Sequence, residues 1–158
     1  MKSAARPSPI AAVLNTTHDR RAVETAVRGL AGQLQPALPA LVKRGDRVLV
    51  KVNLGPPGGR RPEDRFTSHP AYMEAVIRVL LDCGARVYFG DDVDRTGRHC
   101  QSIWRATGAW EVARRTRATL VDFAAYGARE RRGRLWFPRH YLVSNAYLES
   151  DVVINAAN

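Results

Sequence analysis

The residues best suited to chemistry are Lys51 and Asn53, in the stretch Arg47-Val-Leu-Val-Lys-Val-Asn-Leu54. Alternate residues of a strand share one face, so an ammonium and an amide point the same way. They do so just before the segment Gly55-Pro-Pro-Gly-Gly59. A buried strand has no packing use for a lysine, so a partner is expected. Three more polar clusters follow apolar runs: Asn15-Thr-Thr-His18; Asp91, Asp92 and Asp94; and Asn155. In parallel α/β sheets, ligands sit beyond the carboxyl ends of the strands. The start of a helix at Thr67-Ser-His-Pro70 could add N–H groups for an anion. The expectation is one site. Lys51, Asn53, Thr67, Ser68, His69 and Asn155 would bind a small anionic ligand, a phosphate or carboxylate. Asp91 and Asp92 would hold a hard cation such as Mg²⁺. Lys51, Asp91 and Asp92 are the catalytic candidates, with no reaction assigned.

Each residue also has a plainer role. Lys51 could snorkel from a strand edge. Asn53 could stabilise the turn that follows. His69 could be a helix cap, Gly90-Asp-Asp92 a simple turn, and Asp122 a solvent-facing strand residue. His18, His99 and His140 lack metal-cluster spacing. No Walker A, G-x-G-x-x-G or G-x-S-x-G pattern is present. Cys83 and Cys100 have no C-x-x-C spacing and fall short of the four ligands of a structural zinc or an iron–sulfur cluster. No cluster is therefore expected on this chain alone. Cys83 reads as core, and both thiols as reduced.

The elements that must position these residues follow from periodicity. Residues 1–9 read as a flexible N-terminus and 10–158 as a single α/β domain. Ile10–Leu14 reads as a first strand. Val23, Val27, Leu30 and Leu34 mark a helix that Pro36 and Pro39 break, with a short further turn at Leu38, Leu41 and Val42. Residues 55–66 form a Gly/Pro/Arg-rich loop, long for a compact domain. The next helix is the clearest: Pro70 suits its first turn, and Thr67, Ser68 or His69 can cap it. Met73, Val76, Ile77, Leu80 and Leu81 form its apolar face, Glu74 and Arg78 an i,i+4 pair, and Gly84 its C′ residue. Strands are expected at Arg86–Phe89, Thr119–Phe123, Leu135–Phe137, Tyr141–Val143 and Asp151–Asn155. Leu135–Phe137 and Tyr141–Val143 would pair around Pro138-Arg-His140. Helical pieces are expected over 102–117, interrupted near Thr107-Gly108, with a turn at Asn145–Glu149. The run Arg129-Glu-Arg-Arg-Gly-Arg134 reads as a solvated turn. Alternating helices and strands predict a layered α/β domain with a mostly parallel sheet flanked by helices. The last strand stands close to the end of the chain, which predicts a domain incomplete at its C-terminus.

Composition bounds the partners. The 158 residues carry a formal charge of +10, with 22 arginines against 3 lysines. Such charge invites a nucleic-acid reading. Against it, the arginines are spread along the chain, without the aromatic interleaving that single-strand binders use. Apolar content of 45% fits a globular protein, and no run is long enough to span a bilayer. No hydrophobic signal core follows the N-terminus, so a cytoplasmic location without membrane association is expected.

Taken together, the motifs resemble the family called domain of unknown function 362 (DUF-362). Val48–Leu54 resembles its K-x-N strand, and Thr67–Pro70 the T-x-x-P start of its next helix. Gly84 to Gly90-Asp91 is similar to its G-x-x-V-x-x-G-D strand. Thr107-Gly108 with Val121-Asp-Phe123, and Leu148–Asn155, resemble later segments of its N-terminal half. The resemblance covers about residues 10–158. It implies an α/β fold and, as a rival to the anion-binding reading, a redox-associated module partnering or fused to a ferredoxin-type iron–sulfur protein. Relatives continue into a K-x-H segment that this chain does not include, and a cysteine-rich portion is absent here.

Overall fold

The structure is a computed structural model and describes residues 18–34, 36–55, 66–93, 99–133 and 139–156. The expected strand at 10–14, residues 15–17 of the first polar cluster, Asp94, most of the 55–66 loop and the expected strand at 135–137 lie outside the described residues.

Four parallel strands form the main sheet: β1 (Arg47–Lys51), β2 (Arg86–Asp91), β3 (Thr119–Asp122) and β6 (Val152–Asn155), in the order β3-β2-β1-β6. This is the mostly parallel, helix-flanked sheet that the alternating pattern predicts. β1 is central. From it the chain moves outward through β2 to β3, then returns to place β6 on the other side of β1. The strand order therefore reverses between β1 and β6.

Why β1 is central is plain from its sequence. Val48, Leu49 and Val50 are all fully buried, so both faces of this strand are covered, as an interior parallel strand requires. On one face Val48, Val50, Val52, Val87 and Phe89 pack against α3 (Pro70–Asp82), α4 (Cys100–Ala106) and α5 (Ala109–Thr116). The opposite face is smaller. There Leu49 and Val121 meet Phe123, Ala146 and Tyr147, the last two from α6 (Asn145–Leu148). Each large apolar side chain buried this fully contributes about 1.5–3 kcal/mol.

Helix α3 forms where its periodicity predicts. His69 is its N-cap and Pro70 opens it; Met73, Ile77 and Leu80 are fully buried, and Gly84 takes φ +79° beyond its end. Helix α1 (Arg20–Gln33) is capped by Asp19 and lies over α3, with Val23 against Ala71 and Ala75. A short α2 (Leu38–Leu41) follows. Gly108, in the left-handed region at φ 75°, separates α4 from α5, which explains the expected break near Thr107-Gly108.

Two expectations change. Residues 129–132 are not a turn. Ala128–Arg132 is a strand, β4, paired antiparallel with β5 (His140–Ser144), so the partner of the Tyr141–Val143 segment is the arginine-rich run. A fully exposed strand has no apolar alternation to reveal it, and cross-strand backbone bonds define it instead. Asp122, expected to face solvent, is buried, because α4 closes over the end of β3.

Candidate functional site

The carboxyl ends of the four strands are lined by polar residues. β6 ends at Asn155, β1 at Lys51, β2 at Asp91 and β3 at Asp122. In register, Asn155 lies beside Lys51, Lys51 beside Gly90, and Asp91 beside Asp122. Lys51 and Asn155 thus share one sheet face at the point where strand order reverses, the position at which open α/β sheets bind ligands.

Lys51 has the partner its burial demanded. Its Nζ lies 3.4 Å from Asp91 Oδ1, and its side chain keeps 28% exposure against 13% for Asp91. Asp91 has further work. Its Oδ2 accepts from the Leu54 N–H at 2.9 Å, and Oδ1 from the Asp92 N–H at 3.0 Å. The carboxylate therefore pins the chain leaving β1 to the chain leaving β2. Burial, with Asp91 and Asp92 nearby, raises the Tyr147 phenol above its ordinary range.

The glycine of the Gly-Asp turn has a steric reason. A Cβ at Gly90 would stand 1.9 Å from the Val121 carbonyl oxygen, so β2 and β3 approach here as only glycine allows.

Asn53 and Ser68 organise the loop. The Asn53 amide donates to the Phe66 carbonyl at 2.8 Å, and its Oδ1 accepts from the Gly55 N–H at 3.3 Å. One side chain thus holds both ends of the long excursion. Ser68 is fully buried; its Oγ accepts from the Asn53 N–H at 3.0 Å and donates to the Ala156 carbonyl at 3.2 Å. Its own N–H donates to the Asn53 carbonyl at 2.7 Å. Ser68 thereby joins the ends of β1 and β6 to the start of α3. Thr67 beside it is buried.

The start of α3 is largely satisfied. Pro70 has no N–H, His69 Nδ1 accepts from the Ala71 N–H at 3.2 Å, and the Tyr72 and Met73 N–H groups donate to the His69 carbonyl. The macrodipole remains, but the first turn offers no unused N–H. The His69 ring stacks on His18, with centroids 4.2 Å apart.

Among the described residues, no group of three or more His, Cys, Asp or Glu is placed to hold a metal ion. The donor oxygens of Asp91 are already taken, and Asp92 is exposed. Asp122 Oδ2 accepts from the Cys100 thiol at 3.0 Å, and Oδ1 from the Ala124 N–H. Cys83 and Cys100 are not bridged; burial and Asp82 raise the Cys83 thiol. His99 precedes α4, and His140 pairs with Glu130 on the hairpin.

Sequence reasoning missed two charged centres. Arg47, at the other end of β1, stacks over Tyr88 at 4.2 Å, bonds the Tyr126 hydroxyl and reaches Glu149 Oε2 at 3.2 Å. Glu74, legible as half of a surface pair, is buried and takes Arg115 at 2.9 Å as well as Arg78 at 2.7 Å. The signal for either is long-range and not carried by local spacing.

An open parallel sheet flanked by helices, with polar residues along its carboxyl edge, defines the class: a layered α/β domain. The family model of the domain of unknown function DUF362 matches residues 48–158, and the chain belongs to this family. No curated protein and no solved structure matches the chain. No described helix is long and apolar enough to cross a membrane.

Proposed function

We propose that the carboxyl edge between β1 and β6 binds a small anionic ligand, with Lys51 supplying the charge. One observation carries this reading. The Lys51 ammonium stands at the switch point, partly exposed, in an ion pair of 3.4 Å. Charge-assisted hydrogen bonds close at about 2.7–2.9 Å, so this pair is loose enough for the ammonium to meet a second anion. Asn155 shares its face and would add an amide contact. Asn53, Ser68 and His69 then serve by fixing the backbone around the ligand.

A divalent cation such as Mg²⁺ fits this edge as part of a ligand complex and not as a resident ion, because Asp91 is engaged and Asp92 is a single exposed carboxylate. The anionic ligand would then complete the oxygen shell that Mg²⁺ requires.

The test is a thermal-shift screen of inorganic phosphate, nucleotides and dicarboxylates, with and without Mg²⁺. A binder at a hundred times its Kd stabilises by about 2.7 kcal/mol. Lys51→Ala should keep the fold and lose the shift. If no anion shifts the wild type, or if the variant responds equally, the reading fails.

A further inference from the structure

We infer that the β4–β5 hairpin is a docking arm for an acidic, extended segment of a partner protein. The arm stands apart from the hydrophobic cores. Every residue of β4 is exposed, as are His140, Tyr141 and Leu142 of β5. None of the three hydrophobic clusters includes a residue of either strand. The described contacts to the body lie at its base, where Ser144 Oγ donates to the Phe123 carbonyl and the Asn145 N–H to that of Gly127.

A two-stranded ribbon in water is marginal on its own and gains from a third strand or a covering surface. Among the described residues neither outer edge of this ribbon pairs with another strand, so both offer backbone groups to one. Its chemistry selects which strand. Register puts Arg131 opposite Tyr141 and Arg129 opposite Val143 on one face. Leu142, 74% exposed, lies on the other face opposite Glu130. Arginine and tyrosine, paired here on the first face, are enriched in protein interfaces.

Charge decides the partner's sign. The chain is +10, so a second copy would be repelled at this arm, whereas an acidic segment is attracted. Leu142 decides the partner's class. A phosphate backbone gives an exposed leucine no apolar surface to bury against. An acidic polypeptide with interspersed apolar residues satisfies both.

The probe is a synthetic peptide of alternating Glu and Leu, with a Lys/Leu peptide and a single-stranded DNA oligonucleotide as comparators, measured by fluorescence anisotropy at low and moderate salt. The Glu/Leu peptide should bind, and Arg129→Glu with Arg131→Glu should weaken it at least tenfold. An equal change of charge outside the arm, Arg21→Glu with Arg44→Glu, should weaken it far less. Leu142→Ser should lower the binding that persists at moderate salt. Circular dichroism and Tm should stay unchanged in all of these variants, since the altered side chains are exposed. Equal loss in the two charge-reversed proteins would reduce the effect to net charge and overturn the proposal. So would hairpin-dependent binding of the DNA that exceeds that of the peptide.

Discussion

Lys51 and Asp91 meet at 3.4 Å across the ends of β1 and β2, while the second oxygen of Asp91 holds the Leu54 N–H. One carboxylate therefore steers the site's ammonium and fixes the turn that follows it. The two tasks separate by mutation. Asp91→Asn keeps an acceptor for Leu54 but removes the charge. In a double-mutant cycle with Lys51→Met, measured by urea unfolding, the coupling should be about 1 kcal/mol, because both groups retain some exposure.

Gly90→Ala should be far more damaging than its size suggests. The added methyl would stand 1.9 Å from the Val121 carbonyl, a backbone atom held in the sheet. Separating β2 from β3 to make room should cost about 3 kcal/mol or more, read as a fall in Tm or loss of folded protein.

Glu74 gives a pH signature. Burial pushes its carboxyl up, but the hydrogen bond from Arg78 and the charge and hydrogen bond of Arg115 outweigh this and leave it below the ordinary glutamate range. A carboxylate with a lowered folded pKa stabilises fully above its unfolded pKa, about 4.3, and loses that contribution as pH falls through the folded value. The wild type should therefore lose stability on acidification below about pH 4.3, and Glu74→Gln should lose less over the same range while being less stable at neutral pH. Urea midpoints across the acid range check both.

These residues also mark what the chain made legible. The K-x-N strand, the capped α3 and the Gly-Asp turn could be read because each obeys a local rule: alternation, capping or a glycine requirement. Their grouping at one sheet edge followed from the parallel α/β pattern. The committed state of Asn53, Ser68 and the α3 start was not legible. Their partners Phe66 and Ala156 are fixed by tertiary closure. β4 escaped for the opposite reason, since Ala-Arg-Glu-Arg-Arg buries nothing and leaves no apolar trace.

Tyr147 should report on the carboxylates of the site. Burial first, then Asp91 and Asp92, raise its phenol, so it ionises later than an exposed tyrosine. Asp91→Asn or Asp92→Asn should bring its titration back toward the ordinary value without changing the burial contribution. Following the Tyr147 ring by NMR, with Tyr147→Phe for assignment, isolates it from Tyr72, which burial also raises. An anion bound at Lys51 should move the same titration further up, since it adds negative charge next to Asp91, whose own charge already raises the phenol.

Arg47 tests how far the second face depends on one side chain. Its guanidinium stacks on Tyr88, bonds the Tyr126 hydroxyl and reaches Glu149, tying β1 and β2 to the turn after β3 and to the residue that caps α6. Asp151 binds the backbone N–H of Arg47 at 2.8 Å, which holds β6 in register from the same residue. Lysine keeps the charge but has neither the plane to stack nor the fork to reach two partners. Arg47→Lys should therefore cost about 1–3 kcal/mol, on the scale of a lost hydrogen bond to a charged group, despite being formally conservative. Arg47→Met should cost a similar amount, because most of the loss lies in geometry that both replacements lack. If lysine instead preserved stability and methionine did not, charge alone would be the binding force. Hydrogen exchange should place the loosening in the Phe123–Gly127 turn and α6, leaving α3 and its side of the sheet protected.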